Sequence, residues 1–236
     1  MQLNIQPPEK RDPSTFMQNG SLEVHSVFFT IQGEGPYVGR PAVFVRLAGC
    51  NLQCPQCDTD YTSQREWLTP EQLLSRILWV REAARLVVIT GGEPFRQDIT
   101  IFAKHLIAAR LTVQVETNGT FYLPSFPYDK VTVVCSPKAG AVNATLASAS
   151  PGIAAYKYVG SAGNLASDGL PRLALNHPAS PMVARPPATY KGPIYLQPVD
   201  EKDEEINQRN LIAVRDSCMR HGYIMGVQLH KLIGVD

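Results

Sequence analysis

Cys50, Cys54 and Cys57 put three thiols within eight residues, in the run Arg46-Leu-Ala-Gly-Cys50-Asn-Leu-Gln-Cys54-Pro-Gln-Cys57-Asp58-Thr59. No other stretch constrains the chain so tightly. A thiol ligates metal as its thiolate, and three thiolates this close repel one another unless a cation sits among them. Left free, such a group would oxidise readily, so three merely packed cysteines are a poor account of it. Structural zinc takes four ligands, usually as two separated pairs. The chain has no second CxxC and no HxxxH, Cys135 and Cys218 stand alone, and the five histidines are scattered. Three thiolates suit instead a 4Fe–4S cluster with one iron left open, which is a place for chemistry rather than scaffolding.

The remaining composition sets bounds. At 236 residues the chain is long enough for one sizeable core, and one domain over 23–236 is the expectation. Its 22 basic and 21 acidic side chains leave no electrostatic footprint for nucleic acid or an anionic membrane. No apolar run approaches the length of a membrane span. The first residues lack the apolar core of a signal peptide, and five cysteines with three clustered fit a reducing compartment, so a cytoplasmic location is expected. Residues 1–22 are polar and proline-rich and read as a mobile or surface-draped extension.

Along the chain, strand-like and helix-like patterns alternate. Val24–Thr30 is strand-like and leads into Gln32-Gly-Glu34-Gly, where two glycines let the backbone turn and offer Glu34 toward a cleft. Pro41–Leu47 reads as a buried strand carrying Arg46, which needs an anionic partner. Thr69-Pro-Glu-Gln72 is a capping box, and Leu73, Leu74, Ile77 and Leu78 follow at helical spacing as core. Leu86–Thr90 is a strand running into Gly91-Gly92-Glu93-Pro94; a helix with Ile99, Phe102, Leu106 and Ile107 on one face comes next. Further strands end at Glu116-Thr-Asn-Gly, at Ser136-Pro-Lys138, near Val159 and at Gln197, and residues 139–152 and 171–198 look like loop. A helix over Asp203–Arg220 precedes a last strand, Met225–Leu229, with His230 at its end. Cys135 and Cys218 are packed core thiols in this reading. Such alternation implies a single α/β domain with a mostly parallel sheet and right-handed crossovers. Because a full eightfold barrel takes about 250 residues, an open, partial (β/α) barrel fits better. Each polar cluster falls at the carboxyl end of a strand, where parallel α/β folds keep their chemistry.

The Cys-x3-Cys-x2-Cys spacing resembles the signature of the radical S-adenosylmethionine superfamily, and Gly91-Gly92-Glu93-Pro94 resembles its GGEP motif. That resemblance implies a cluster held by Cys50, Cys54 and Cys57, and an open iron chelating S-adenosylmethionine. Cleavage of the cofactor then gives a 5′-deoxyadenosyl radical. Gly91, Gly92, Glu93, Ser136, Lys138 and Asp58 are the implied cofactor contacts. Finer matches, namely Gln32-Gly-Glu34-Gly, the run Arg46–Thr59, Glu116-Thr-Asn-Gly, Ser136-Pro-Lys138 and Gln228-Leu-His230-Lys-Leu, are similar to the 7-carboxy-7-deazaguanine synthase family over most of residues 25–236. The family implies 6-carboxytetrahydropterin as substrate, ring contraction with loss of ammonia, an external flavodoxin-like electron donor and a homodimer. By this reading Gln32, Glu34, Arg46, Glu116, Gln197, His230 and Asp236 bind substrate, with His230 and Glu116 as catalytic groups. Mg2+ rests on the hydroxyl of Thr59, a hard oxygen ligand.

The chain departs from that family where an aromatic residue usually precedes the third cysteine; Gln56 stands there, and Tyr61 is the expected replacement wall for adenine. Two other readings compete. A glycyl-radical activating enzyme would share the cluster and GGEP but has no use for Gln32–Gly35 or the His230 tail. A non-catalytic metal- or cluster-binding module needs only the three cysteines.

Overall fold

In a computed structural model, residues 4–235 are described. Among them the strands are β1 (Leu22–Ile31), β2 (Pro41–Leu47), β3 (Glu66–Leu68), β4 (Leu86–Gly91), β5 (Thr112–Thr117), β6 (Thr132–Cys135), β7 (Ile153–Gly160), β8 (Ile194–Pro198) and β9 (Ile224–Met225). The helices are α1 (Pro70–Val80), α2 (Thr100–Ala108), α3 (Ala144–Ser148), α4 (Glu204–His221) and α5 (Leu229–Ile233). All nine strands form one open sheet in the order β3-β1-β2-β4-β5-β6-β7-β8-β9. From β2 to β9 every neighbouring pair is parallel, and only β1 runs antiparallel, to β2 and β3. The mostly parallel, open partial barrel is the architecture the alternation implied.

Side chains alternate across a strand, so each strand serves two faces. Val43, Val45 and Leu47 of β2, Val87 and Ile89 of β4, and Val113 and Val115 of β5 point outward into the main core. There they meet Leu73 and Ile77 of α1 and Phe102, Ala103 and Leu106 of α2. A second core gathers Tyr156, Tyr158 and Leu196 against Val214 and Cys218 of α4. Cys135 is fully buried in the same group. The intervening residues, Phe44 and Arg46, Thr90, Glu116, Lys157 and Gln197, face the inner, concave side. Packing the helices outside thus leaves the polar positions of each strand facing one cavity.

Local sequence explains most boundaries. Thr69 accepts from Gln72 N while Gln72 accepts from Thr69 N, closing the capping box of α1. That helix buries Leu73 and Ile77 but leaves Leu78 and Trp79 exposed, so Leu78 is not core. Asp203 caps α4 through Ile206 N, and Gly222 ends it at φ +76°. The segment 139–152 is not all loop, because Asn143 caps the short α3 through Thr145 N and Leu146 N. The expected last strand also differs. Its pairing stops after Met225; Leu229 N then donates to Gly33 O, and His230 lies in α5 rather than at a strand end. No helix among the described residues is long and apolar enough to cross a membrane.

Candidate active site

The concave face encloses a cavity of about 700 Å³. Its wall includes Cys50, Cys54 and Cys57 together with Gln32, Glu34, Arg46, Asp58, Thr59, Gly91, Gly92, Glu116, Ser136, Lys138, Gln197 and His230. Of the residues expected at the site, Glu93 and Tyr61 are absent from it, and Asp236 lies outside the described residues.

The cysteine loop leaves β2 at Leu47 and has no regular secondary structure, so tertiary partners hold it. Gly92 explains how the turn after β4 reaches it: a Cβ there would stand 2.0 Å from Gly49 O. Gly92 N donates to Leu47 O at 3.2 Å and Glu93 N to Gly49 O at 3.0 Å. Glu93 itself is fully buried behind that turn. Its carboxylate accepts from Phe95 N (2.9 Å), Thr117 Oγ1 (2.6 Å) and Asn118 N (2.7 Å). Those three bonds brace the end of β4 against the end of β5, and Glu93 is not part of the cavity wall. Burial raises its pKa despite those bonds.

Burial also pushes the thiols up, Cys50 to about 12 and Cys54 to about 11, with Cys57 raised for the same reason. Lys138 partly offsets this at Cys54 and Cys57. Its ammonium is itself lowered by burial, and it donates to Ser136 O (2.9 Å) and Oγ (2.6 Å).

The second cluster is ionic. Lys157 of β7 is buried and donates to both Glu34 and Glu116. Glu34 also accepts from Gln197 Nε2 (2.8 Å) and Gln228 Nε2 (2.9 Å), and Glu116 from Gln32 Nε2 (3.0 Å) and Gln114 Nε2 (2.8 Å). Burial opposes ionisation at Glu34 and Lys157, yet their attraction prevails, lowering the pKa of Glu34 and raising that of Lys157. Sequence reasoning missed Lys157. The signal was present in Ala155-Tyr-Lys-Tyr-Val159: a lysine between two tyrosines of a buried strand must face the opposite side and find carboxylates there.

Two groups are left wanting. Arg46 lies over the Phe28 ring at 5.3 Å, and its buried Nε has no hydrogen-bond partner. Gln197 Oε1 is likewise buried and unpaired. An anion and a hydrogen-bond donor brought into the cavity would satisfy them. His230 packs so closely on Gly33 that a Cβ there would stand 2.0 Å from its Nδ1. Tyr61 does not wall the cavity. It is fully buried beneath the cysteine loop, and its hydroxyl meets Asn4 Nδ2 at 3.3 Å. Beside Gln56 the wall is Leu175, whose carbonyl accepts from Gln56 N at 3.2 Å, while the Gln56 side chain donates to Glu201.

The Radical SAM superfamily model matches residues 45–128, which span the cysteine loop through the ends of β4 and β5. A 7-carboxy-7-deazaguanine synthase of Rhodospirillum rubrum is 41% identical over 229 residues, covering 91% of this chain and 93% of its own. The chain belongs to the 7-carboxy-7-deazaguanine synthase family. A second 7-carboxy-7-deazaguanine synthase, of Rickettsia prowazekii, is 34% identical and covers 91% of this chain and 89% of its own. QueE from Escherichia coli shares the fold at a TM-score of 0.66, with 23% identity, covering 89% of this chain and 95% of that one.

Radical SAM enzymes carry a 4Fe–4S cluster and S-adenosylmethionine, and the residues here fit both. Three thiols face one cavity, yet no three His, Cys, Asp or Glu side chains among the described residues converge as a ready site for a single metal ion. A cluster takes each thiolate at a different iron, so it needs no such convergence. High thiol pKa values mean that binding the cluster releases protons. The turn at Gly91 and Gly92 also comes close to the backbone at Leu47, Gly49 and Cys50, beside the thiols.

Proposed function

We propose that the chain converts 6-carboxytetrahydropterin to 7-carboxy-7-deazaguanine with loss of ammonia, as a cytoplasmic homodimer served by a flavodoxin-like electron donor. One observation carries this reading: the three thiols share a single cavity with an unpaired arginine Nε and a buried Glu–Lys–Glu cluster fringed by amides. When bound, the cluster and S-adenosylmethionine supply one-electron chemistry and a carbon radical able to abstract hydrogen.

The chain's own groups position the substrate for that event. Arg46 meets the pterin carboxylate, whose two oxygens match the donor fork of its guanidinium. The Thr59 hydroxyl, a hard oxygen ligand on the cavity wall, would hold a Mg2+ ion able to share that task. Glu34 and Glu116 accept from the amino and ring N–H groups of the pterin edge, while Gln32 and Gln197 match its acceptors and donors in turn. Lys157 holds both carboxylates in place and favours the ionised form of Glu34. His230, held against Gly33, reaches the ring to hydrogen-bond it or to carry a proton. Asp58, Ser136 and Lys138 line the cofactor end, where Lys138 offsets thiolate charge.

The test is anaerobic. Reconstituted, reduced protein receives S-adenosylmethionine, Mg2+ and 6-carboxytetrahydropterin, and products are followed by mass spectrometry. 7-Carboxy-7-deazaguanine with 5′-deoxyadenosine is the expected outcome. Deoxyadenosine alone would discard the substrate, and neither product from cluster-loaded protein would discard the enzyme.

A further inference from the structure

We propose that residues Asn4–Glu9 form a clasp that fixes the cysteine loop in its ligating shape and so governs how firmly the chain retains its cluster. The proposal rests on the cluster reading given above. A loop that must hold three thiolates in one arrangement, without helix or strand, has to borrow rigidity from outside. Here an extended segment preceding the sheet supplies it. Asn4 N donates to Pro55 O at 2.9 Å, and Asn4 Nδ2 to Cys54 O at 3.1 Å. Glu9 N donates to Cys50 O at 2.6 Å. The backbones of two of the three cysteines are therefore pinned directly by the clasp.

Gln6 closes the far side of the loop. Its Nε2 donates to Thr59 O at 2.9 Å, while its Oε1 accepts from Tyr61 N (2.8 Å) and Thr62 Oγ1 (3.0 Å). One side chain thus satisfies three groups of a stretch that has no strand partner. The segment is tied down beyond the loop as well. Glu9 pairs with Arg65 and with Arg96, which also bonds Glu23 at 3.0 Å and Ala48 O at 3.0 Å. Anchored there on the body of the sheet, the clasp transmits a fixed position to the loop rather than following it.

Geometry also separates the clasp from the reacting groups, since Asn4, Gln6 and Glu9 are not part of the cavity wall. They are positioning residues. Their loss should leave substrate groups in place and change cluster retention.

The experiment uses full-length protein reconstituted anaerobically, in four forms: parent, Gln6→Ala, Asn4→Asp and, as a control, Arg11→Ala. Arg11 lies over the Phe16 and Phe121 rings and touches none of the loop groups named above. Iron and sulfide content, the EPR signal of the reduced cluster, and the rate of iron loss to an added chelator are measured. Losing the three hydrogen bonds from Gln6 to the loop, and a fourth to Asn4 Oδ1, is expected to speed iron loss about tenfold. Asn4→Asp, which keeps the backbone bond to Pro55, is expected to show a smaller increase. The EPR line shape should broaden in both, and melting of the cluster-free protein should stay near that of the parent and of Arg11→Ala. Chelation rates and EPR signals equal to the parent's in both variants would overturn the clasp while leaving the enzyme reading intact. A parent that takes up no four-iron cluster would overturn both.

Discussion

Replacing Lys157 by methionine removes the only ammonium shown between Glu34 and Glu116 while keeping the volume of its stem. Both carboxylates bond the same Nζ, so their charges stand no more than about 5 Å apart, worth about 3 kcal/mol of repulsion at an effective dielectric near 20. The folded variant escapes by taking up a proton. Against an ordinary glutamate pKa of about 4.5, that proton costs about 3.4 kcal/mol at pH 7 and about 0.7 kcal/mol at pH 5. In the parent, Glu34 is lowered to about 2, so its contribution is present above 4.5 and is lost only as pH falls through about 2. Lys157 is raised, so its contribution is present below 10.5 and is lost only at higher pH. Parental stability from this cluster is therefore flat between pH 5 and 9. In Lys157→Met the folded state binds more protons than the unfolded one, and stability must rise as pH falls. Urea unfolding of parent and variant at pH 7 and pH 5 measures this. The expected loss is about 3 kcal/mol at pH 7, shrinking by up to about 2.7 kcal/mol at pH 5. A loss that does not change with pH, or one below about 1 kcal/mol at pH 7, would refute the coupling.

Gly92→Ala places a Cβ 2.0 Å from Gly49 O and should spread the turn after β4 from the cysteine loop, cutting bound iron and S-adenosylmethionine affinity at least tenfold; iron assay and equilibrium dialysis check it. Gly33→Ala drives into His230 and not into the thiols, so it should lose product formation by about a hundredfold while iron content stays at the parental value, read by mass spectrometry and iron assay on one sample. Thr59→Val removes the hydroxyl while the backbone carbonyl still accepts from Gln6, so the cluster should load normally and any stimulation of turnover by added Mg2+ should disappear.

Strands β1, β2 and β4 to β8 were legible because each is an apolar or alternating run with a turn after it, whereas the three-residue β3 and the two-residue β9 carry too little pattern to be read. The cavity was legible for the same reason, since polar residues at the carboxyl ends of parallel strands have one concave face to share. What escaped the sequence depends on which way a side chain points or on contacts far apart in the chain. Glu93 and Lys157 make the contrast. The glutamate sits in a motif and was assigned to the cavity, yet the turn at Gly91 and Gly92 sends it behind the wall, where three donors claim it. The lysine sits in no motif, yet strand alternation sends it into the cavity between two carboxylates from β5 and the turn after β1.

Tyr61 and the first residues of the chain follow the same logic at longer range. A tyrosine four residues past the last cysteine suggests a cavity wall only if the loop is free to fold inward. Once Asn4, Gln6 and Glu9 occupy the loop's backbone groups, the stretch around Tyr61 is held outward and its ring is buried beneath the loop. Bonds spanning fifty or more residues set that direction, and nothing periodic in the sequence announces them. Gln56 in place of an aromatic side chain belongs to the same arrangement. Its amide reaches Glu201 and its backbone reaches Leu175, which lies in the irregular stretch before β8 and lines the cavity beside position 56.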